Sequence, residues 1–385
     1  MKNLWNDINL RVFTSNLLGQ SDELVLHGGG NTSVKSMVDG EEILFVKGSG
    51  WDLVSIKAEG FAPVKMKTLL EMASLDTLSD TDMVSGQKAA MIDKTAPNPS
   101  VEAILHALIP FKFVDHTHAD AVVTISNSKD GIELIKKVYP DFLIVPYVMP
   151  GFILAKTIYE MTQDFDWSKC KGIILHNHGI FTFDDDAKKS YDKMIEAVSM
   201  AEDFLNENVK LDINSKSSDR YVNLDKLKVL IEHHKKHEIS LHVNKSALAL
   251  YYASQDNLKE FVTRGVLTPE HIIRTKRVPM VIEDDMEKAI YDFMGEYKNY
   301  FEEFSSDEIC LNVAPNYAVI KDFGIVTFGK NEKEASILND IVEHTMLAVL
   351  RADKLGGYQG ISLKDCFEME YWELEQAKVK KCHNI

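Results

Sequence analysis

Two closely spaced pairs of histidines are the residues of this chain best suited to chemistry. The segment DHTHAD contains His116 and His118, and the segment LHNHGIF contains His176 and His178. Residues two apart on a β-strand point to the same face of the sheet, so both imidazoles of a pair can reach one metal ion. Either pair alone could also be two polar residues on an exposed strand edge. Four of the 13 histidines fall in these two pairs at predicted strand ends, which favours a metal site.

Three imidazoles with one open coordination position are typical of a catalytic zinc site. We predict that His116, His118 and His178 are the ligands. His178 is preferred over His176 because it directly precedes Gly179, where a tight turn would bring the backbone close. A third group of histidines, in the segment EHHKKHE, lies on a strongly charged predicted helix and is interpreted as a solvated face.

A carboxylate with two alternative roles lies in the segment NPSVEAILH. Ser100 can cap the helix predicted there, because its hydroxyl can accept a hydrogen bond from a free backbone N–H group. Glu102 then falls in the first turn, where a carboxylate also complements the helix dipole. Near a metal ion the same carboxylate could instead act as a general acid and base. His106 follows one turn later on the same helix face.

Two loops of small residues, HGGGNTSVKS and VKGSG, are suited to binding an anion. Glycines admit positive φ angles and the close approach of a ligand, and exposed N–H groups can form an anion nest. Two such loops with a lysine suit a phosphate group, although either loop alone could be an ordinary tight turn. Neither loop is a P-loop or a GxGxxG motif. The candidate phosphate-binding residues in these loops are Gly30, Asn31, Thr32, Lys47, Gly48 and Ser49.

The composition limits the class of protein and of partner. The chain has 385 residues and a formal net charge of −16, which disfavours binding to nucleic acid or to anionic membranes. The first twenty residues lack the apolar core of a signal peptide, and no uncharged apolar run reaches the ~20 residues that span a bilayer. Four scattered cysteines without a CxxC pair are interpreted as reduced thiols of a cytoplasmic protein: Cys170, Cys310, Cys366 and Cys382.

The elements that must position these residues alternate between strands and helices, which predicts a layered α/β fold. Strands are predicted in EILFVKGSGWDL, FVDHTHADAVVTIS, FLIVPYVMPGF and KGIILHNHGIFTF. Helices are predicted at residues 1–20, 64–94 and 187–208 and after the loop TAPNPS. A polar region from about 206 to 245 marks a boundary. We therefore predict one domain at residues 1–210 and a second at 211–385.

One segment of the second domain resembles a segment of the first. IILHNHGIFTFDDDAKKS, at 173–190, aligns without a gap on AVIKDFGIVTFGKNEKEA, at 318–335. Each copy leads into a predicted helix, so we predict a degenerate partial repeat. His176 aligns with Lys321 and His178 with Phe323. The second copy therefore cannot bind a metal through these histidines and is expected to be scaffold.

Five segments together resemble the class II aldolase/adducin family of metal-dependent sugar-phosphate aldolases. They are GGGNTS, VKGSG, PSVEAILH, DHTHAD and HNHGIF, in that order, and they cover about residues 25–185. The chain is also similar to the aldolase part of bifunctional rhamnulose-1-phosphate aldolase/alcohol dehydrogenases, through LTPEHIIRTKRVP and CFEMEYWELEQAK. In those proteins a short-chain dehydrogenase domain follows. This chain is expected to stop before that domain and to have no NAD(P) site.

The resemblance implies a layered α/β/α sheet and a divalent metal, usually zinc. It implies that the three histidines of the predicted site are its ligands and that Glu102 is the catalytic acid and base. It implies that the substrate phosphate is held at positions matching Asn31, Gly48, Ser49 and Ser100. Val101 departs from the pattern, because several fuculose-phosphate-type members have a second serine there.

The implied activity is that of an aldehyde-lyase. It would cleave a ketose 1-phosphate resembling rhamnulose 1-phosphate into dihydroxyacetone phosphate and an aldehyde, in carbohydrate metabolism. Epimerases, decarboxylases and dehydratases of the family use the same metal and loops and stay open as alternatives. A non-catalytic, adducin-like assembly module would have lost the metal histidines. The family also implies a homo-oligomer such as a tetramer, and a separate dehydrogenase could take the aldehyde.

Overall fold

The computed structural model describes residues 6–213 and 219–376. The chain divides into two compact units. The first is formed by the residues up to Ser126 and by Ile132–Phe204, and the second by Asn127–Gly131 and the residues from Leu205 onward. The boundary predicted at residue 210 rests on composition and stays a prediction.

The described part of the chain up to Asn208 forms a seven-stranded mixed sheet with surrounding helices. The strands are β1 (Asn31–Val38), β2 (Glu41–Lys47), β3 (Phe61–Lys65), β4 (Phe113–Thr117), β5 (Leu143–Val145), β6 (Ile173–Leu175) and β7 (Gly179–Asp184). The helices are α1 (Asp7–Leu18), α2 (Met66–Ala73), α3 (Asp80–Ala89), α4 (Ala103–Leu108), α5 (Asp120–Ser126), α6 (Gly131–Val138), α7 (Phe152–Met161) and α8 (Ala187–Asn208). The strand order is β3-β2-β1-β4-β7-β6-β5, and only the β5–β6 pair is parallel.

Helices cover both faces of this sheet. Alternation along β2 points Leu44 and Val46 to one face, where they pack with residues of α2, α3, α4 and α7. On the other face, Val34 and Phe113 pack with Ala187 at the start of α8 and with α1. The predicted α/β/α layering is therefore confirmed. None of the helices formed by the described residues is long and apolar enough to cross a membrane.

The second unit is also mixed α/β. Its strands are β8 (Ser240–Asn244), β9 (Met280–Ile282), β10 (Tyr317–Ile320) and β11 (Gly324–Gly329). Its helices are α9 (Leu224–Lys235), α10 (Ala247–Ala253), α11 (Leu258–Val262), α12 (His271–Thr275), α13 (Met286–Phe304), α14 (Glu332–Lys354) and α15 (Leu363–Glu370). The strand order is β8-β11-β10-β9, with β9 and β10 parallel. Cys366 and Cys310 are free thiols, as is Cys170 of the first unit, and Cys382 lies outside the described residues.

The sheet of the second unit repeats half of the first sheet. The order β8-β11-β10-β9 matches β4-β7-β6-β5 in its pairing directions, including the one parallel pair at the same edge. The two hairpins also share a hydrogen bond to the helix that follows. Thr182 donates to the Ser190 carbonyl at 3.1 Å, and Thr327 donates to the Ala335 carbonyl at 2.6 Å. The partial repeat predicted from 18 aligned residues thus extends over four strands.

Three segments differ from their sequence-based prediction. Residues 31–36, interpreted as the tail of a glycine loop, belong to strand β1 in the interior of the sheet. Residues 64–94, predicted as helical throughout, contain the end of β3 and two separate helices. The second of these helices begins where the Ser79 hydroxyl accepts a hydrogen bond from the Asp82 N–H. Helix α1 is shorter than predicted, and the first five residues lie outside the described ones.

Candidate active site

The three predicted metal ligands converge on one point. The ligand nitrogens of His116, His118 and His178 all lie within 4.8 Å of one another. The Nε2 atoms of His116 and His118 are 3.0 Å apart. Two imidazole nitrogens on one tetrahedral zinc ion, at Zn–N distances of about 2.0–2.1 Å, lie about 3.3 Å apart. The cluster therefore fits a divalent metal ion in spacing and in ligand type.

The surroundings of His116 fix which ring nitrogen faces the cluster. Its Nδ1 lies 3.1 Å from the Ile180 carbonyl oxygen, which can only accept, so Nδ1 carries the proton. The Nε2 lone pair is then directed at the other two histidines, as a metal ligand requires. The ring also stacks on Phe181, with centroids 4.0 Å apart and planes inclined by 12°. His116 is thus held rigidly in one tautomer and one orientation.

Gly179 makes the convergence sterically feasible. A Cβ at this position would lie 2.5 Å from the Thr117 carbonyl oxygen, 2.9 Å from the His116 ring and 3.1 Å from the His118 ring. The turn before it has Asn177 at a positive φ of 58°, and the His178 N–H closes it onto the Leu175 carbonyl at 3.1 Å. The tight turn predicted at Gly179 therefore lets β6–β7 approach β4.

The Glu102 carboxylate lies directly beside the imidazoles. Its Oε2 is 3.5 Å from Nε2 of His116, and its Oε1 is 3.8 Å from Nε2 of His178. Glu102 is only 6% exposed, and its Oε1 has no hydrogen-bond partner among the described residues. A buried carboxylate oxygen without a donor, next to three imidazoles, is where a cation or a substrate proton would be stabilised.

Glu102 is held by the Asn31 amide, which is itself held by the buried His106 ring. The Asn31 amide donates to Glu102 Oε2 at 2.6 Å, while its oxygen is bonded to Nε2 of His106. Because that oxygen can only accept, His106 carries its proton on Nε2, and its Nδ1 accepts from the Ser33 hydroxyl at 2.7 Å. Burial holds the pKa of His106 well below its usual value, so the ring stays neutral. This chain of hydrogen bonds orients the Asn31 amide toward the carboxylate.

The backbone explains why these side chains meet. In the sheet register Asn31 lies opposite His116, and His116 lies opposite Phe181, all on the face covered by α4. Helix α4 carries Glu102 at its N-cap position and His106 one turn on, and it is anchored by the fully buried side chains of Ile104 and Leu105. Each such burial contributes about 1.5–3 kcal/mol. The site is thus built on packed elements and not on free loops.

The candidate phosphate-binding residues of VKGSG and NPS lie at one corner beside this centre. The Ser100 N–H donates to the Lys47 carbonyl at 3.0 Å, which ties the two segments together. Lys47 Nζ donates to the Gly28 carbonyl at 3.1 Å, so the lysine also reaches the glycine loop. Burial lowers the pKa of Lys47, while Asp52 and Glu102 oppose that shift. The structure therefore brings the backbones of Lys47 and Ser100 together at the same corner.

The backbone N–H groups of Gly48 and Ser49 are already engaged in this corner. Gly48 donates to the Gly60 carbonyl and Ser49 to the Asn98 carbonyl, each at 2.8 Å. The anion nest expected from their amides is therefore not available. The Ser49 side chain is exposed, whereas a Cβ at Gly48 would lie 2.3 Å from Pro97. Gly48 thus permits the close approach of the two loops.

The glycine loop supplies fewer candidate phosphate-binding groups than its sequence suggested. Gly30 has a positive φ of 63°, and a Cβ there would lie 2.7 Å from the His116 carbonyl oxygen, so this glycine lets β1 begin beside β4. Thr32 is fully buried on the face of β1 opposite to Asn31, because neighbouring strand residues point to opposite faces. Its hydroxyl bonds to Ser15 of α1 at 2.8 Å. The structure does not bring the Thr32 side chain to the site.

Asp115, which flanks the first histidine pair, also lies on the opposite face. Its carboxylate forms a fully buried ion pair with Arg11 of α1 and accepts a hydrogen bond from the Ser190 hydroxyl of α8. Arg11 is further bonded to the Thr14 hydroxyl at 2.6 Å. Asp115 therefore joins helices α1 and α8 to the back of the sheet.

The comparison with known families agrees with this geometry. The family model for the class II aldolase and adducin N-terminal domain matches residues 12–205, about half of the chain. The chain belongs to the class II aldolase and adducin family. The model for the second domain of class II aldolase matches residues 196–379.

One individual relative of this class II aldolase family chain shares less than a third of its residues. The chain is 29% identical over 398 residues to a protein of Bacillus subtilis (strain 168) named uncharacterized oxidoreductase YuxG. The match covers 96% of this chain and 57% of that relative, so the chain spans little more than half of the relative's length.

Two solved structures illustrate the range of similarity. The N-terminal class II aldolase domain of a conserved protein from Thermoplasma acidophilum is 39% identical, covering 53% of this chain and 99% of that chain, with a TM-score of 0.49. An L-fuculose-1-phosphate aldolase from Thermus thermophilus is 14% identical, covering 51% and 92%, with a TM-score of 0.34.

Sequence analysis did not assign a role to His106, and it interpreted Ser33 as a side-chain donor of the anion-binding loop, whereas the Ser33 hydroxyl bonds to His106. Both carried a weak signal, since His106 lies four residues after Glu102 on the same helix face and Ser33 lies two residues after Asn31 on the same strand face. Tyr139, which lies outside the site, donates a hydrogen bond from its hydroxyl to the Ala197 carbonyl at 2.7 Å. It packs against helix α8, and burial raises the pKa of its hydroxyl.

Proposed function

We propose that this class II aldolase family chain is a metal-dependent sugar-phosphate aldolase. It would cleave a ketose 1-phosphate, resembling rhamnulose 1-phosphate, to dihydroxyacetone phosphate and an aldehyde. One observation carries the proposal: three imidazole nitrogens lie within 4.8 Å of one another, with the buried Glu102 carboxylate 3.5–3.8 Å from two of them. Breaking a carbon–carbon bond next to a ketone requires a stabilised enediolate and a proton carrier, and this arrangement can supply both.

His116, His118 and His178 would hold the metal ion, which we propose is Zn²⁺. A divalent cation bound by three neutral imidazoles acts as a Lewis acid on the carbonyl and hydroxyl oxygens beside the scissile bond. The imidazoles carry no charge to neutralise it, and the fixed tautomer of His116 keeps its Nε2 available as a ligand.

Glu102 would carry the proton. In cleavage, the bond between C3 and C4 of the ketose breaks and its electron pair stays on C3, while the C4 hydroxyl gives its proton to the Glu102 carboxylate and becomes the aldehyde. The Glu102 carboxyl group then donates a proton to C3 to give dihydroxyacetone phosphate, and in condensation it removes that proton. Asn31, held by His106, would keep the carboxylate pointing at this carbon.

Lys47, Ser49 and Ser100 would anchor the substrate phosphate, with Gly30 and Gly48 allowing the loops to approach. An anchor at fixed distance from the metal holds the scissile bond next to Glu102, and such positioning lowers the barrier to reaction. The carboxylates of Asp52 and Glu102 favour the charged form of Lys47, and that positive charge would attract the phosphate.

Proton exchange tests the proposal without knowledge of the aldehyde. The hydroxymethyl carbon of dihydroxyacetone phosphate corresponds to C3 of the ketose. In D2O the NMR signal of the protons on this carbon should decrease when the metal-loaded protein is added. We expect His116→Ala to lose both bound metal and exchange, and Glu102→Gln to keep the metal and lose exchange. His176→Gln is the matched control, because His176 lies outside the group of three ligands and should retain both properties.

A panel of ketose 1-phosphates, with detection of dihydroxyacetone phosphate, then identifies the substrate. Exchange by Glu102→Gln at the wild-type rate would show that another group carries the proton. A metal-loaded protein that neither exchanges dihydroxyacetone phosphate nor cleaves any member of the panel would refute the aldolase assignment. We further propose a homo-oligomer, which light scattering of the purified protein would test by mass.

A further inference from the structure

A charged cavity of about 360 Å³ lies wholly within the second unit. Its volume is in the range of small-molecule sites. Four basic residues line it against two acidic ones, in a chain whose net charge is −16. The ionisable lining residues are Lys235, His237, Arg274, Lys276, Lys330, Glu334 and Glu370.

Lys276 is held in this cavity in an unusual backbone conformation. It follows α12 with φ 63° and ψ 175°, a combination that is essentially restricted to glycine and that costs of order 1–3 kcal/mol. The side chain is 6% exposed, its Nζ donates to the Asn312 carbonyl at 2.6 Å, and Nζ lies 3.4 Å from the centre of the Tyr297 ring. The surrounding contacts therefore fix a buried ammonium group at the cavity wall.

One carboxylate oxygen of Glu370, Oε2, has no hydrogen-bond donor among the described residues. Glu370 is 2% exposed, and its Oε1 accepts a hydrogen bond from the Tyr297 hydroxyl at 2.7 Å. Tyr297 is bonded in turn to the Tyr371 hydroxyl at 2.7 Å, so the carboxylate is fixed in position. Its Oε2 is buried without a hydrogen-bond partner among the described residues. A buried, unsatisfied carboxylate oxygen in a cavity wall is an acceptor for a ligand donor.

Another part of the cavity wall is also fixed. Lys235, at the end of α9, donates from Nζ to the Asn316 side-chain oxygen at 2.6 Å. The Asn316 amide donates to the Arg274 carbonyl at 2.6 Å, which links α9 to α12 through three lining residues. The Lys235 charge is therefore positioned by contacts that do not neutralise it.

We propose that this cavity is a second binding site, for a small anion that also carries hydroxyl groups, such as a phosphorylated polyol. The excess of basic side chains would hold the anionic group, and Glu370 Oε2 would accept a hydrogen bond from a hydroxyl. Lys276 and Glu370 come from the segments RTKRVP and CFEMEY, which lie outside the five segments that form the aldolase site. The inference therefore does not depend on the proposed aldolase activity.

The titration of the two buried lysines agrees with such a ligand. Burial lowers the pKa of Lys235 and of Lys276 to about 8 each, because each ammonium group is removed from water. Glu334 opposes this shift at Lys235, and Glu370 opposes it at Lys276. A bound anion would restore the lost charge stabilisation of both ammonium groups.

Calorimetric titration of the full-length protein with glycerol 1-phosphate, inorganic phosphate and glycerol tests the proposal. We expect glycerol 1-phosphate to bind more tightly than phosphate, and glycerol alone not to bind. Lys330→Glu reverses a charge on an exposed rim residue and should weaken binding of glycerol 1-phosphate about tenfold. Lys333→Glu is the matched control, because Lys333 lies three residues further on, exposed in the first turn of α14, but does not line the cavity.

Lys276→Met, which removes the buried charge, should weaken the same binding at least as much as Lys330→Glu, and Glu370→Met should abolish the preference for glycerol 1-phosphate over phosphate. Turnover at the first-unit site should be unchanged in Lys330→Glu, which separates the two sites. Equal affinity of wild type, Lys330→Glu and Lys276→Met would overturn the proposal. So would binding that disappears only in Lys47→Met, since the ligand would then occupy the first-unit site.

Discussion

Replacing Asn31 by alanine isolates the contribution of one hydrogen bond to the proposed proton carrier. The Asn31 amide donates to Glu102 Oε2 at 2.6 Å in a site that is almost fully buried. A hydrogen bond to a charged group contributes about 1.5–3 kcal/mol. If that energy serves to hold the carboxylate in its reactive orientation, its loss lowers turnover by about 10- to 150-fold, at 1.36 kcal/mol per factor of ten.

The assay is the rate of C3 proton exchange of dihydroxyacetone phosphate in D2O, with kcat and KM determined separately once a substrate is known. We expect kcat to fall and KM to stay the same, because the three clustered histidines and the residues proposed to bind the phosphate are unchanged. Bound metal should stay at the wild-type level in Asn31→Ala. Loss of metal would instead show a role of Asn31 in building the histidine cluster.

Thr32→Ala is the matched control for this prediction. Thr32 is the next residue on the same strand, is fully buried and also loses one hydrogen bond, but its hydroxyl faces Ser15 behind the sheet. Its turnover should stay within about twofold of wild type, with only stability reduced by about 1 kcal/mol. The reasoning fails if Thr32→Ala loses as much turnover as Asn31→Ala, or if Asn31→Ala retains full turnover.

Three further outcomes follow from the structure. Asp115→Ala leaves the Arg11 charge buried without its partner and should cost about 3–5 kcal/mol of unfolding free energy in urea, with the metal still bound by the folded protein. Gly179→Ala places a Cβ 2.5 Å from a β4 carbonyl and should weaken metal binding in a chelator competition, whereas a wild-type affinity would mean that the strands can shift. Binding of glycerol 1-phosphate to the second-unit cavity should weaken as pH rises through about 8, where Lys235 and Lys276 lose their charge, and a flat titration from pH 7 to 10 would contradict this.

The cluster of three histidines could be predicted from the sequence because the signals for it are short motifs. The spacing of His116 and His118 fixes their common face whatever the rest of the fold, and Gly179 marks the turn that brings His178 to them. The hairpin β6–β7 and the helix α8 were also predicted with close to their observed limits, since an apolar strand pair and a long amphipathic helix have strong periodicity.

The polar residues of β1 were misread because their environment is set by tertiary contacts. Asn31 and Thr32 follow three glycines and resemble loop donors, yet both lie in a central strand whose two faces are covered by helices. Only the pairing with β4 shows that Asn31 faces Glu102 and Thr32 faces α1. The amides of Gly48 and Ser49 were expected to be free for the same reason, since their partners Gly60 and Asn98 are distant in sequence.

The two copies of the four-strand motif share a scaffold but differ at the positions of the clustered histidines. Pairing of β4 with β7 places His116 opposite Phe181, and pairing of β8 with β11 places Val243 opposite Val326 at the same register.

By the same register Lys245 corresponds to His118, and Phe323 corresponds to His178. In the second copy the lysine Nζ lies 3.9 Å from the centre of that phenyl ring, so a cation–π contact occurs where the first copy has two of the three clustered histidines. The hydrogen bond from strand to helix, by contrast, is retained in both copies at Thr182 and Thr327. Packing constraints therefore act on the hairpin and its helix in both units, whereas the ligand positions are constrained only where a metal ion would have to be held.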